Sequence, residues 1–215
     1  MVSEIAGALS VFYPIVPDVD WLQRLVPLGI HTVQLRIKGA DSPEVCRQID
    51  ASLKVTRDCD CQLIVNDYWR EALAVGADYV HLGQEDLAAA DLAAIKGAGL
   101  RLGISTHSPK ELEIALAATP DYVALGPIYE TRLKAMEWSP QGLASISAWK
   151  ARIGNLPLVA IGGITPERAP GVLAAGAQSV AVITDFMSAP DPKERARQWL
   201  QWAKSAEPSV TSYDQ

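Results

Sequence analysis

From Val33 to Lys38 the chain reads Val-Gln-Leu-Arg-Ile-Lys, so Gln34, Arg36 and Lys38 alternate with apolar neighbours. A period of two places all three polar side chains on one face of a strand. The surrounding apolar runs have the look of buried strands, and an isolated cation on a buried face is costly. A bound anion relieves that cost: Arg offers a fork for two phosphate oxygens and Lys a mobile point charge. Ion pairing of Arg36 and Lys38 with carboxylates such as Asp67 is the competing reading. Asp67 and Asp86 are hard oxygen donors that, with phosphate oxygens and water, suit Mg2+. The plainer alternative makes each a helix N-cap, since both precede helical segments. Gly162-Gly163 either lets the backbone approach a ligand and offer its N–H groups, or forms a tight turn. With Thr184 it marks a second anion site. His81 is a packed core histidine or a ligand contact, His107 a contact or part of a helix cap, and His31 structural. Trp69 and Tyr129 are packing or the walls of an aromatic substrate site. No Ser-His-Asp or Cys-His nucleophile arrangement is present in the pattern.

These residues need elements to position them. Apolar strand-like runs recur as LSVFYPIV, TVQLRI, CQLIV, DYVHLG, LRLGIS, DYVALG, LPLVAIG and SVAVIT. Segments of helical character separate most of them, among them SPEVCRQIDASLKVTR, DLAAADLAAIKGAG and SPKELEIALAA. Three segments open on Ser-Pro or Thr-Pro, in which Ser or Thr caps free N–H groups and Pro fits the first turn. VGADYVHLG, ATPDYVALG and AGAQSVAVI share one helix-end-then-strand template. A single compact (β/α)8 TIM barrel over 1–204 is predicted, with 205–215 a loose tail; an open doubly wound sheet is the runner-up. In such a barrel the active site lies at the C-terminal strand ends. There the polar residues gather: Gln34, Arg36 and Lys38; Asn66 and Asp67; His81 and Asp86; Ser105, Thr106 and His107; Gly163; Thr184. The longer loop after the sixth strand, with Thr131, Arg132 and Lys134, is the candidate lid.

Composition narrows the rest. The chain has 215 residues, 49% hydrophobic, with net charge -6. That balance argues against nucleic acid as a partner. Cys46, Cys59 and Cys61 make an odd count with no zinc spacing and read as free thiols. No apolar run is long enough to span a bilayer, and MVSEIAGALS is a poor signal peptide; a cytoplasmic protein is expected. Whether it forms a homo-oligomer is open.

The set VQLRIK, VNDYWREAL, VHLGQEDL, LGISTHS, ALGPIYETRLK, VAIGGIT and VAVIT, in this order, resembles the thiamine phosphate synthase family. The resemblance implies a transferase joining a hydroxymethylpyrimidine diphosphate to a thiazole phosphate, through loss of diphosphate and attack of the thiazole nitrogen on a pyrimidine carbocation. Carried over, Gln34, Arg36, Lys38 and Asn66 hold the diphosphate and Asp67 and Asp86 bind Mg2+. Ser105 and Lys134 touch the departing group, which with Arg36 and Lys38 makes four catalytic residues. Thr131, Gly163, Ile183 and Thr184 hold the thiazole phosphate. The family's Pro-Thr-x-Thr-Lys is Glu130-Thr131-Arg132-Leu133-Lys134 here, and its Val-Ser-Ala is Ile183-Thr184-Asp185. A negative Asp185 beside a phosphate is unexpected. A thiazole tautomerase-like isomerase and a non-catalytic thiamine-phosphate binder are the rival readings.

Overall fold

A computed structural model describes residues 9–131 and 139–206. The elements run β1 (Phe12–Val16), α1 (Val19–Leu25), β2 (Thr32–Leu35), α2 (Ser42–Asp58), β3 (Gln62–Asn66), α3 (Trp69–Ala74), β4 (Tyr79–Leu82), α4 (Gln84–Ala89), α5 (Leu92–Gly97) and β5 (Arg101–Thr106). They continue as α6 (Pro109–Ala117), β6 (Tyr122–Leu125), α7 (Gly142–Ile153), β7 (Leu158–Ile161), α8 (Ala169–Ala174), β8 (Ser179–Val182), α9 (Thr184–Met187) and α10 (Pro192–Ala206). Eight parallel strands pair in chain order, and β8 returns to β1. The expected (β/α)8 barrel is therefore formed, and the open sheet is excluded.

Local chemistry sets several boundaries. Asp18, Asp41, Asp91 and Ser108 each accept a hydrogen bond from a first-turn N–H, satisfying donors that the helix leaves free. Of the Ser/Thr-Pro pairs only Ser108 caps as expected. Ser42 lies inside α2, capped by Asp41, and its hydroxyl donates to Glu71 at 2.8 Å. Thr165 precedes a turn, and α8 begins only at Ala169. DLAAADLAAIKGAG, read as one helical segment, is two helices broken where Asp91 takes an extended backbone and caps α5.

The pleat divides the core. Val80 and Leu82 of β4 face outward into the large cluster under the helices. Tyr79 joins Tyr13, Ile64, Tyr122, Val159 and Ala181 in a separate cluster that fills the lumen, as alternation on barrel strands requires. α10 packs on α1, α9 and β1, with Trp199 stacked on Phe12 at 5.2 Å between ring centroids.

Candidate active site

Strand register assembles the first half of the mouth. Leu35 pairs with Val65, Asn66 with His81, and His81 with Gly103. Arg36 and Asn66 thus sit along one rim at the C-terminal strand ends, with His81 just beneath them. Gln34 is buried lower, and its amide donates to the Tyr13 hydroxyl at 2.8 Å. Arg36 is half-buried and Lys38 exposed.

Asp67 follows β3 directly, with φ +66. This left-handed backbone is uncommon outside Gly, though Asp and Asn tolerate it best. Its N–H donates to the His81 carbonyl at 2.9 Å. Its side chain meets Asp86, in the first turn of α4, and accepts from Asn66. Burial above all, then the Asp86 charge, pushes the Asp67 carboxyl up to about 6, against the pull of Arg36 and Asn66. Neither acid is an N-cap: Tyr68 holds that position for α3 and Gly83 for α4. Nor, among the described residues, does Arg36 or Lys38 form an ion pair within 4.0 Å. Both plainer readings are therefore set aside.

A buried carboxyl whose proton affinity is raised by burial and by a facing carboxylate is relieved by a divalent cation. Both are hard oxygen donors, and no third His, Cys, Asp or Glu joins them among the described residues. One or two carboxylates completed by substrate phosphates and water is how Mg2+ is commonly held, so the donor set fits that ion.

His81 is a packed residue. It is 6% exposed, with Nδ1 at 2.7 Å from the Tyr122 hydroxyl and Nε2 at 2.8 Å from the Ser105 hydroxyl. Burial, with the Arg36 charge second, holds its pKa down to about 3. Ser105 is half-buried, at the rim. Thr106 points the other way, donating to the Ala124 carbonyl and accepting from Trp149. His107 pairs with Glu111 at 2.9 Å. His31 is exposed before β2, its ring near the Asp60 carbonyl. Trp69 is buried in α3.

The second half is built from backbone. Ile161 pairs with Ala181, so Gly163 and Ile183, each two residues on, come side by side. Gly163 has φ +65, and a Cβ there would stand 2.4 Å from the Glu130 carbonyl and 2.8 Å from Tyr129. The loop after β6 thus lies directly on this turn, and the Tyr129 N–H donates to Gly162 at 3.0 Å. Arg168 donates to the Gly163 carbonyl at 2.7 Å and lies over the Tyr129 ring. Ile183 precedes α9 and Thr184 opens it. Thr131 ends the described part of its loop; Arg132, Leu133 and Lys134, with the candidate lid, fall outside the described residues.

Asp185 does not act as a bare charge here. Arg195 grips it with Nε at 2.8 Å and Nη2 at 3.0 Å, and the Trp199 indole donates to it at 2.7 Å. This bidentate pair ties α9 to α10 and accounts for the residue that looked out of place. A cavity of about 380 Å3 lies over the ends of β1 and β2, lined by Arg36, Lys38 and Ile183 and by Glu44 and Gln48 of α2. That volume suits a small-molecule ligand.

Sequence reasoning overlooked Tyr13, Tyr122, Arg168 and Arg195. The tyrosines' inward phase was readable in VFYPIV and DYVALG, but mid-strand tyrosines read as packing. Nothing in the sequence marks Arg195, ten residues from its partner.

Residues 12–186 match the family model described as thiamine monophosphate synthase. A thiamine-phosphate synthase of Rhizobium etli is 58% identical over 192 residues, covering 89% of this chain and 94% of that protein. One from Salmonella choleraesuis is 48% identical, over 87% of this chain and 89% of its own. Among solved structures, a thiamine phosphate pyrophosphorylase from Pyrococcus furiosus superimposes with TM-score 0.82 at 26% identity, over 95% of this chain and 100% of its own.

Proposed function

The chain belongs to the thiamine monophosphate synthase family, and from that premise we propose that it condenses a hydroxymethylpyrimidine diphosphate with a thiazole phosphate, releasing diphosphate. The observation that carries this reading is the convergence of Arg36 with the facing Asp67 and Asp86 at one mouth of the barrel. Gln34 anchors the floor beneath them. Arg36, Lys38 and Asn66 take the diphosphate; Ser105 and Lys134 meet the departing group. Gly163, Ile183, Thr184 and Thr131 take the thiazole phosphate. Asp67 and Asp86 would hold Mg2+, which when bound draws charge from the leaving diphosphate.

The chain's own part is electrostatic and positional. Arg36 and Lys38 stabilise negative charge that grows as the C–O bond breaks. His81 is buried, with its pKa held down by burial and the Arg36 charge. The two phosphate sites, at one mouth of the barrel, would hold the thiazole nitrogen and the pyrimidine carbon within reach of each other, which supplies the orientation. Both substrates are small molecules, and no described helix is long and apolar enough to cross a membrane.

The deciding experiment mixes both substrates with Mg2+ and follows thiamine phosphate and diphosphate together. Equal formation of the two is expected. Product binding without diphosphate release would indicate a binder instead. Metal-independent rearrangement of a thiazole substrate would indicate an isomerase.

A further inference from the structure

Beneath the rim a run of hydrogen bonds crosses the lumen. The Gln34 amide donates to the Tyr13 hydroxyl at 2.8 Å, the Tyr13 and Tyr122 hydroxyls are 3.0 Å apart, Tyr122 is 2.7 Å from His81 Nδ1, and His81 Nε2 is 2.8 Å from Ser105 Oγ. The four residues below Ser105 are at most 6% exposed.

With the Gln34 Nε2 amide group facing Tyr13, one direction satisfies every member. Tyr13 accepts from Gln34, so its own buried proton needs an acceptor, and the Tyr122 oxygen is the partner in reach. Leaving a buried donor without an acceptor is costly. Tyr122 must then donate onward to His81 Nδ1. That leaves His81 as the Nε2–H tautomer, donating to Ser105 Oγ. Ser105, its oxygen already occupied, keeps its own proton for something above the rim.

We propose that this run fixes Ser105 as an outward donor to the departing diphosphate, which makes Tyr122 and His81 positioning residues for the reaction. The role at the diphosphate rests on the transferase reading; the direction of the run does not. Hydrogen bonds aligned head to tail polarise one another, so Ser105 donates more strongly than a lone serine would. The ring that sets the direction is held in place. A Cβ on Gly103 would stand 2.1 Å from Tyr122 Cζ, so the bare Gly103 is the cradle that admits it.

The test reads the proton on His81 directly. The chain has three histidines, and in nitrogen-15 spectra of the substrate-free protein His31→Gln and His107→Gln remove the other two signals. Expected is a protonated Nε2 and a bare Nδ1 on His81 at neutral pH. Protonated Nδ1, or both nitrogens protonated, overturns the proposal whether or not the chain makes thiamine phosphate. In Tyr122→Phe both tautomers should appear, and kcat should fall about five- to tenfold with both KM values within about twofold. A His81 tautomer unchanged in that variant, or an unchanged kcat, refutes the relay. Gly103→Ala keeps the hydroxyl but displaces the ring, and should mix the tautomers as well.

Discussion

The two halves of the barrel mouth are made from different materials. Around β2 to β5 the proposed functional groups are side chains: Arg36, Lys38, Asn66, Asp67, Asp86 and Ser105. Around β6 to β8 they are a backbone turn at Gly163 and a helix start at Ile183–Thr184, braced from outside by Arg168 and by Arg195 through Asp185. A side-chain site is lost with one substitution. A backbone site tolerates changes of residue type so long as the loop keeps its shape. That difference explains how Ile183-Thr184-Asp185 can stand where the family pattern has Val-Ser-Ala.

The contrast can be broken first at the side-chain half. Asp86→Ala or Arg36→Ala should cut turnover roughly 10²- to 10³-fold while shifting the melting temperature by no more than about 3 °C. Steady-state kinetics beside a thermal melt decides it; near wild-type turnover in either variant would misplace the diphosphate. At the backbone half, Gly163→Ala must take a left-handed backbone and meet the Glu130 carbonyl. It should lose about 1–3 kcal/mol of stability in urea unfolding, with the thiazole-phosphate KM raised and the pyrimidine-diphosphate KM unmoved.

Asp185→Ala sharpens the comparison further, because it removes a brace and not a contact. Arg195 and the Trp199 indole lose their acceptor, for about 1–2 kcal/mol by urea denaturation. Thiazole-phosphate affinity should drop, by titration calorimetry, while diphosphate affinity holds. The smallest effect concerns Asp67. Burial and the Asp86 charge push its carboxyl up to about 6, and a metal ligand must be deprotonated. Above that pH the carboxylate is free for Mg2+; below it a proton competes. Apparent Mg2+ affinity should fall about fourfold between about pH 7.5 and 5.5.

How much was legible follows the same division. The barrel could be read because each strand is a short apolar run bounded by turn chemistry. Arg36, Asp67 and Asp86 could be read because charged residues at buried strand ends need a reason. The left-handed turn at Asp67 was hidden, since Asp adopts it without any sequence mark. Arg195 was hidden because a contact between helices leaves no periodicity. The Tyr13–Tyr122–His81 run was hidden because hydroxyls on packed rings look like apolar filling. Strand two was read as running to Ile37 but ends at Leu35, since Arg36 still bonds to β1 through its N–H while the chain is already leaving the ladder.

Below the site, Tyr13, Tyr79 and Tyr122 meet edge to face, with ring centroids 6.3 and 5.8 Å apart. The vessel therefore has a stopper at its base. Moisture able to quench a reactive carbon must come over the rim, so the share of substrate ending as the simple pyrimidine alcohol becomes a gauge of how well the top seals during each turnover.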